Sequence, residues 1–251
     1  MKVVPPAGYQ HLRVRGGYVM AAAGIATWAE EAIGACGSLE RYARRQPGAQ
    51  AIAGRGPGYL VDLGATGTGV VRRLRHGGLL AAFTGDRFFG GGVPRPINEL
   101  LTSELLAGRG IDTPRVLAAC VYPSLWHYRG EVLRTYHAEC TDLASYLFGS
   151  DRPDAVRAVA VVAAARMADR LAAAGVFHPD YNAMNLLVQP EPPDLRVLVI
   201  DLEKSEPCAA RPERARVRMR RRLAHSLAKL AARAGRPLPA EVWDALDSPR
   251  G

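Results

Sequence analysis

The order of segment types along the chain constrains its fold more than any other feature of the sequence. Residues 51–78 alternate short apolar segments with glycine clusters, which is typical of antiparallel strands joined by tight turns. The second half instead carries long runs of alanine, valine and leucine. The longest of these, near 153–174, ends at Gly175 and is typical of a helix. Strands first and helices later predict an α+β protein with a smaller β-rich lobe and a larger helical lobe.

The predicted division has three parts. Residues 1–50 form an N-terminal extension, whose alanine-rich stretch at 19–33 predicts a helix. Residues 51–135 form the β-rich lobe, and residues 136–251 form the helical lobe, with the crossover near 135–143.

Four elements are predicted within the β-rich lobe. Strands are expected near 59–63 and 69–75, with the glycine-rich GATGTG as the turn between them. A helix is expected over 97–110, because its apolar residues recur at helical spacing and it ends in glycine. Two further strands are predicted around a turn at 128–131.

Composition excludes several classes of protein. Of the 251 residues, 48% are apolar, which is enough for a full hydrophobic core and excludes wholesale disorder. The four cysteines are scattered without a CxxC pair, so they indicate neither a zinc site nor a disulfide framework and favour reduced thiols. No apolar run approaches the roughly 20 residues that cross a bilayer, and no export signal is visible. The sequence therefore predicts a globular cytoplasmic protein.

The formal net charge is +9 and is carried almost entirely by arginine. A basic surface attracts nucleic acid, anionic lipid or small anions by the same Coulomb attraction. Since no aromatic stacking platform or reader motif is present, nucleic-acid binding is not predicted. The arginines of 211–222 allow two interpretations: contact with anionic lipid headgroups, or the solvated face of a helix packed on the lobe.

Three oxygen-bearing side chains lie against apolar runs in the second half of the chain. The segment GVFHPDYNAMNLLV at 175–188 contains Asp180 and Asn185, and VLVIDLEKS at 197–205 contains Asp201. Phosphoryl transfer from ATP needs a carboxylate that orients the attacking hydroxyl and hard oxygen ligands for Mg²⁺. These residues therefore predict a catalytic Asp180 and a metal site at Asn185 and Asp201.

Two further features have interpretations that depend on the residues alone. His178 lies beside Asp180 and is expected to brace this loop rather than to transfer a proton. The GRGPG turn contains Gly54 and Gly56, whose backbone N–H groups could approach phosphate oxygens because glycine has no Cβ.

HPDYNAMN followed by VIDLEKS resembles the catalytic loop and the metal-binding Asp of the protein-kinase-like fold. GRG at 54–56, VVRRLRHGGLL at 70–80 and NELLTSELLAGRGIDTP at 98–114 narrow the resemblance to the bacterial lipopolysaccharide kinases, the family of Kdo and heptose kinases. The resemblance covers residues 50–235. It implies a two-lobed protein-kinase-like fold that uses ATP and Mg²⁺.

The resemblance also assigns residues that would hold the nucleotide. Protein kinases hold the α and β phosphates with a lysine, but this chain has no lysine between Lys2 and Lys204. The resemblance places Arg72 in that role, because an arginine fork can grip phosphate through two hydrogen bonds. Glu99 becomes its partner on the helix, and Gly54 and Gly56 become the cover over the phosphates.

Two departures from the protein-kinase pattern bear on regulation. Pro179 stands where many kinases have arginine, and Leu202-Glu203 stands where many have Phe-Gly. These departures argue against an activation switch of the protein-kinase type. They favour a small-molecule kinase that is assembled constitutively.

The resemblance implies a kinase of the lipopolysaccharide inner core, with 3-deoxy-D-manno-octulosonic acid (Kdo) on a lipid A precursor as the acceptor. Such an enzyme would work at the cytoplasmic face of the inner membrane, where peripheral contact with anionic lipid is expected. Two alternatives stay open: another small-molecule kinase, with a heptose, aminoglycoside-like or choline-like acceptor, or a non-catalytic nucleotide-binding protein with a kinase fold.

Overall fold

The computed structural model describes residues 3–52, 58–76, 85–190 and 195–247. The chain divides into two compact units. Unit 1 comprises Met1–Glu104 and Pro114–Tyr136, and unit 2 comprises Leu105–Thr113 and His137–Gly251. Unit 1 ends at Tyr136, which is one residue beyond the predicted end of the β-rich lobe.

A seven-stranded antiparallel sheet dominates unit 1. Its order is β1-β2-β6-β7-β5-β4-β3, so strands that are distant in sequence become neighbours at its centre. The strands are β1 (Tyr9–Val14), β2 (Gly17–Ala22), β3 (Ala51–Ile52), β4 (Gly58–Asp62), β5 (Thr68–Arg73), β6 (Val116–Pro123) and β7 (Tyr128–Thr135). The helices are α1 (Ala26–Cys36), α2 (Leu39–Arg45) and α3 (Arg95–Ala107), the last three residues of α3 being counted with unit 2.

The helices of unit 1 cover opposite faces of the sheet, as two successive residues of β7 show. The Glu131 carboxylate accepts a hydrogen bond from the backbone N–H of Glu40 in α2, at 3.2 Å. A Cβ added at the preceding residue, Gly130, would clash with the ring of Pro96 in α3. Because successive side chains of a strand point to opposite faces, α2 lies on one face and α3 on the other.

The first fifty residues differ from the predicted helical extension. Their first part forms β1 and β2, and β2 pairs with β6, so they extend the main sheet. The helix begins only at Ala26, which makes the prediction of a helix over 19–33 wrong in its first half. Residues 19–22 are all buried within the sheet, and this tertiary burial overrides the helix preference of alanine.

The hairpin between β6 and β7 also differs from the prediction. The turn was expected at 128–131, whereas the structure places those residues in β7 and the turn at 124–127. The backbone N–H of Ser124 donates to the carbonyl of His127 at 2.7 Å, which closes a two-residue loop. The apolar Leu125 and Trp126 of this loop look like strand residues in the sequence, which is why the turn was misplaced.

Unit 2 is mostly helical, with short strands that carry its polar loops. Its core is built around α5, whose buried residues Ala160, Ala164, Ala168 and Leu171 recur at helical spacing. The helices are α4 (Leu143–Phe148), α5 (Asp154–Ala173), α6 (Pro212–Ala234) and α7 (Ala240–Asp247). The strands are β8 (Thr141–Asp142), β9 (Val176–Phe177), β10 (Leu186–Pro190), β11 (Leu195–Val199) and β12 (Glu206–Pro207), in two small antiparallel sheets ordered β11-β10-β8 and β12-β9.

The long basic helix α6 is held against the core of unit 2. It begins with proline at its first turn and ends at Gly235, which adopts φ 60°. The buried Arg220 makes two hydrogen bonds to the Asp169 carboxylate of α5, at 2.9 and 2.6 Å. Among the residues described, no helix is both long and apolar enough to cross a membrane.

Candidate active site

The β10–β11 hairpin brings Asn185 and Asp201 together. In the register of this hairpin Leu186 pairs with Val199, so the residues just outside it face each other. The Ile200 N–H donates to the Asn185 carbonyl at 3.0 Å, which extends the pairing by one step. Asp201 is the next residue and therefore lies beside the loop that carries Asn185.

The side chain of Asn185 fixes the position of Asp180. Asn185 is 4% exposed, and its amide nitrogen donates to the Asp180 backbone carbonyl at 2.8 Å. This use of the nitrogen leaves the amide oxygen as the atom that can ligate a metal. The two residues predicted to act together are thus joined by a direct hydrogen bond across five positions of sequence.

His178 braces the same loop from the other side. Its Nδ1 accepts a hydrogen bond from the Asp180 backbone N–H at 3.2 Å, so the proton lies on Nε2, which donates to the Ile200 carbonyl at 3.0 Å. The ring is 1% exposed, and burial lowers its pKa, although the carboxylates of Asp201 and Asp180 act in the opposite direction. A buried, neutral imidazole with both nitrogens engaged agrees with the structural role expected for it.

Asp201 has an unusual backbone. At φ 65° and ψ 48° it is the one non-glycine residue with positive φ among those described. Such a conformation costs about 1–3 kcal/mol and concentrates at functional sites. It is maintained here because Ile200 is held at both its N–H, by Asn185, and its carbonyl, by His178.

The Asp180 carboxylate contacts side chains that the sequence did not reveal as its partners. Its Oδ1 accepts from the Asn182 amide at 3.0 Å and from the Arg222 guanidinium of α6, also at 3.0 Å. The side chain is 21% exposed. Arg222 is 42 residues away in sequence and looks like one more basic residue of a helix, which is why sequence reasoning missed it.

Asn185 and Asp201 fit the binding of Mg²⁺. Both offer hard oxygen donors, one neutral and one charged, which suit this ion better than the nitrogen and sulfur donors that zinc prefers. The strained backbone of Asp201 and the anchored amide nitrogen of Asn185 are independent signs that these oxygens are held for a ligand.

In unit 1, strand register places Arg72 on the face of the sheet that α3 covers. Arg72 pairs with Val132, which shares a face with Gly130 and Arg134. Glu99 of α3 is 2% exposed and forms an ion pair with Arg134, on that same face. The sequence did not indicate Arg134. The predicted pair of Arg72 with Glu99 stays a prediction, and its two members lie on the same side of the sheet.

Gly54 and Gly56 lie outside the described residues. In the sequence they fall between β3 and β4, the first two of the predicted lobe's strands. Their proposed contact with phosphates remains a prediction from the sequence.

The main sheet contains five strands in the order β6-β7-β5-β4-β3, with a helix between β5 and β6. A helical unit follows along the chain and carries an Asp-x4-Asn loop and a further Asp after a hairpin. This arrangement defines a protein-kinase-like fold. Residues 49–246 match the model of the lipopolysaccharide kinase (Kdo/WaaP) family. The chain belongs to this family.

Relatives from several bacteria carry the name 3-deoxy-D-manno-octulosonic acid kinase. The one from Xylella fastidiosa (strain M12) is 31% identical over 139 residues, covering 55% of this chain and 53% of the relative. The one from Vibrio cholerae serotype O1 is 29% identical over 153 residues, covering 60% and 62%. The chain thus spans about half the length of the first of these curated relatives.

Among solved structures, the crystal structure of the BubR1 kinase domain aligns with a TM-score of 0.44 and 12% identity, covering 85% of this chain and 55% of that one. At that level the likeness says nothing about activity.

The buried histidine predicts how stability varies with pH. Its pKa lies below the ordinary value of 6.5 in the folded protein, so below pH 6.5 the unfolded chain binds a proton that the folded protein does not. The free energy of unfolding therefore decreases as pH falls, by at most about 1.4 kcal/mol per pH unit from this residue. When the free energy of unfolding is measured with urea at a series of pH values, we expect His178→Gln to show a smaller decrease below pH 6.5 than the wild type. Equal slopes for both proteins below pH 6.5 would contradict the assignment.

Proposed function

We propose that this protein transfers the γ-phosphate of ATP to a hydroxyl of Kdo on a lipid A precursor. The observation that carries the proposal is the joining of Asp180, Asn185 and the residue before Asp201 by direct hydrogen bonds. Family membership and relatives named for the same sugar kinase activity support it. The identity of the acceptor depends on those relatives, whereas phosphoryl transfer also has support from the site's residue types.

Asp180 receives or orients the proton of the attacking hydroxyl. Its backbone is fixed by Asn185 and His178, so the carboxylate has a defined direction. Its ion pair with Arg222 holds the carboxylate in one orientation, which suits a group that must accept a hydrogen bond from the acceptor. Arg222 is a positioning residue in this scheme, because it would act on the acceptor through Asp180.

Asn185 and Asp201 hold Mg²⁺ through their side-chain oxygens. The ion, when bound, neutralises charge on the phosphates during transfer. The protein's own contribution is to fix two hard oxygen ligands from two different segments, one before β10 and one after β11. Such prior positioning lowers the entropy lost when the ion and nucleotide bind.

The phosphates themselves are held by Arg72, with Glu99 steadying it and with Gly54 and Gly56 covering them. The support for Arg72 is its position on the face of the sheet that α3 covers, where the buried Glu99 of α3 pairs with Arg134. An arginine in this place offers two parallel donors to a phosphate, in contrast to the point charge of lysine.

A lipid-linked acceptor would place the protein at the cytoplasmic face of the inner membrane as a peripheral protein. The net charge of +9 favours an anionic surface of this kind. No nucleic-acid partner is proposed.

Transfer of labelled phosphate from ATP tests the acceptor. We expect incorporation into a Kdo-containing lipid A precursor and little into heptosylated core, aminoglycosides or choline. Mass spectrometry of the product should locate the new phosphate on Kdo. Asp180→Asn, which keeps the size of the side chain, is the matched control and should form product about a thousandfold more slowly.

A thermal-shift titration separates the non-catalytic alternative from the enzyme. Mg²⁺–ATP should raise the melting temperature, because a ligand that binds only the folded state stabilises it. Phosphate transfer to a different sugar would show that the acceptor is not Kdo, while the protein would remain a sugar kinase. Nucleotide binding without any transfer would instead support the non-catalytic protein.

A further inference from the structure

A basic cavity lies within unit 1, on the face of the sheet opposite Arg72. Its volume is about 290 Å³, and it is lined by the β1–β2 turn, the loop before α2 and the β6–β7 turn. Arg73 lies in its wall, and because it follows Arg72 in β5 it points to the opposite face. The cavity is therefore distinct from the proposed nucleotide site.

Four arginines and a histidine line this cavity. Arg73 is already compensated, since carboxylates of Asp86, Glu40 and Glu131 lie 3.1, 3.5 and 4.0 Å from its guanidinium. The other three arginines are exposed and make no ion pair with any residue that the structure describes. They are Arg15, Arg41 and Arg129, and with His127 we call them the basic rim.

Apolar side chains project beside the basic rim. Leu125 and Trp126 form the whole of the two-residue loop between β6 and β7 and are 85% and 79% exposed. Phe89 is 62% exposed and lies beside His127, with the ring centroids 5.9 Å apart and the ring planes inclined by 50°. We call these three residues the apolar tip.

The fold does not require an apolar tip. Neither Leu125 nor Trp126 has a positive φ, so the backbone of this turn does not demand glycine or asparagine and would accept a polar residue. Turns are mostly built from small polar residues, and leucine and tryptophan depart from that composition and leave large apolar surface in water. Such departures are expected where a surface has a binding role.

We propose that the basic rim and the apolar tip together form a docking surface for an anionic phospholipid bilayer. Trp126 and Leu125 enter the interface between headgroups and acyl chains, a depth that tryptophan favours. Arg15, Arg41 and Arg129 then contact lipid phosphates around the tip. Charge complementarity selects the occupant, because exposed guanidiniums beside exposed aromatic side chains match a surface that is anionic outside and apolar within.

The arginines of α6, the other basic surface that the sequence indicated, are less available. Four of them are engaged within unit 2, so that their charges or their planar faces are already in contact with protein. These are Arg216 with Glu213, Arg220 with Asp169, Arg222 with Asp180, and Arg218 over the ring of Phe177. Arg214 and Arg221 are exposed on the same helix and provide a matched comparison.

Vesicle binding tests the proposal with the whole chain. Phosphatidylcholine vesicles with and without phosphatidylglycerol are sedimented with the protein in the absence of nucleotide. We expect binding only to the anionic vesicles. Arg41→Gln with Arg129→Gln should weaken it about twenty-five-fold, since each basic residue near an anionic surface contributes about fivefold. Arg214→Gln with Arg221→Gln removes the same charge from α6 and should change binding little.

Tryptophan fluorescence tests the apolar tip separately. Of the three tryptophans, Trp126 is exposed, while Trp28 and Trp243 are half-buried. Brominated anionic vesicles should quench the fluorescence of the wild-type protein, and Trp126→Phe should remove most of this quenching while retaining binding. Leu125→Ser with Trp126→Ser should weaken binding by about tenfold or more.

Three outcomes would overturn the proposal: equal binding to neutral vesicles, equal loss in the two arginine pairs, or the absence of binding to anionic vesicles. If the protein does not bind anionic vesicles, the surface would instead fit an acidic protein or a soluble phosphate ester. The docking proposal depends on the proposed function in one respect: a lipid-linked acceptor is the reason for this protein to bind a membrane. Since Asp180→Asn should bind vesicles like the wild type, loss of docking and loss of transfer are distinguishable.

Discussion

Replacing Asp180 with alanine is expected to lower kcat for phosphate transfer by about a thousandfold, in the range typical of losing a positioned acid or base. The acceptor hydroxyl would lose the group that orients it and receives its proton. ATP affinity should stay close to the wild-type value, because the proposed metal ligands are Asn185 and Asp201. Single-turnover kinetics at saturating acceptor, with nucleotide binding by calorimetry, measure both quantities.

The carboxylate's charge can be tested apart from its position. Asp180→Asn keeps an oxygen that can accept from Asn182 and Arg222, so the loop should retain its arrangement. We expect its turnover to be nearly as low as that of Asp180→Ala, because an amide cannot accept the proton. Wild-type turnover in Asp180→Ala would refute the assignment of the catalytic residue.

Replacing Asp201 is expected to remove Mg²⁺-dependent nucleotide binding. Asparagine is the sharper substitution, because it tolerates the left-handed backbone found here and removes only the charge. We expect Asp201→Asn to weaken Mg²⁺–ATP binding at least about tenfold, or about 1.4 kcal/mol, with an unchanged melting temperature of the apo protein. Calorimetric titrations with Mg²⁺ and with EDTA make the comparison.

Alanine at this position adds a second effect. Asp201→Ala should lose nucleotide binding and also lower the melting temperature, since alanine with a positive φ is strained by about 1–2 kcal/mol. Asp201→Gly relieves the backbone while it removes the carboxylate, so it should lose binding without that loss of stability. Mg²⁺–ATP affinity at the wild-type level in Asp201→Asn would be incompatible with a metal-binding role.

Local patterns in the sequence predicted the longer helices and several central strands, but not their tertiary context. The helix expected near 153–174 appears as Asp154–Ala173, and the helix expected over 97–110 appears as Arg95–Ala107. Residues 19–22 were assigned to a helix because alanine prefers it, yet they pair with β6. Pairing with a strand a hundred residues away leaves no local trace in one sequence.

The residues of the candidate site also fall into those that the sequence indicated and those that only the structure revealed. Asp180, Asn185 and Asp201 could be found because their types and spacing stand out against apolar runs. Arg222 and Arg134 could not, since each looks like an ordinary basic residue until the fold places it beside a carboxylate. The exposed Leu125 and Trp126 were hidden for the opposite reason, because apolar residues between two strands look like more strand.

The sequence by itself determined the class of fold, the oxygen-bearing trio and the excess of arginine, because these depend on residue type and short-range spacing. Only the tertiary structure decided which arginines are neutralised by carboxylates and which face solvent. It also decided that the N-terminal residues join the main sheet and that Asp201 has a strained backbone. Burial, ion pairing and strand order are set by contacts between distant parts of the chain, and local spacing does not encode them.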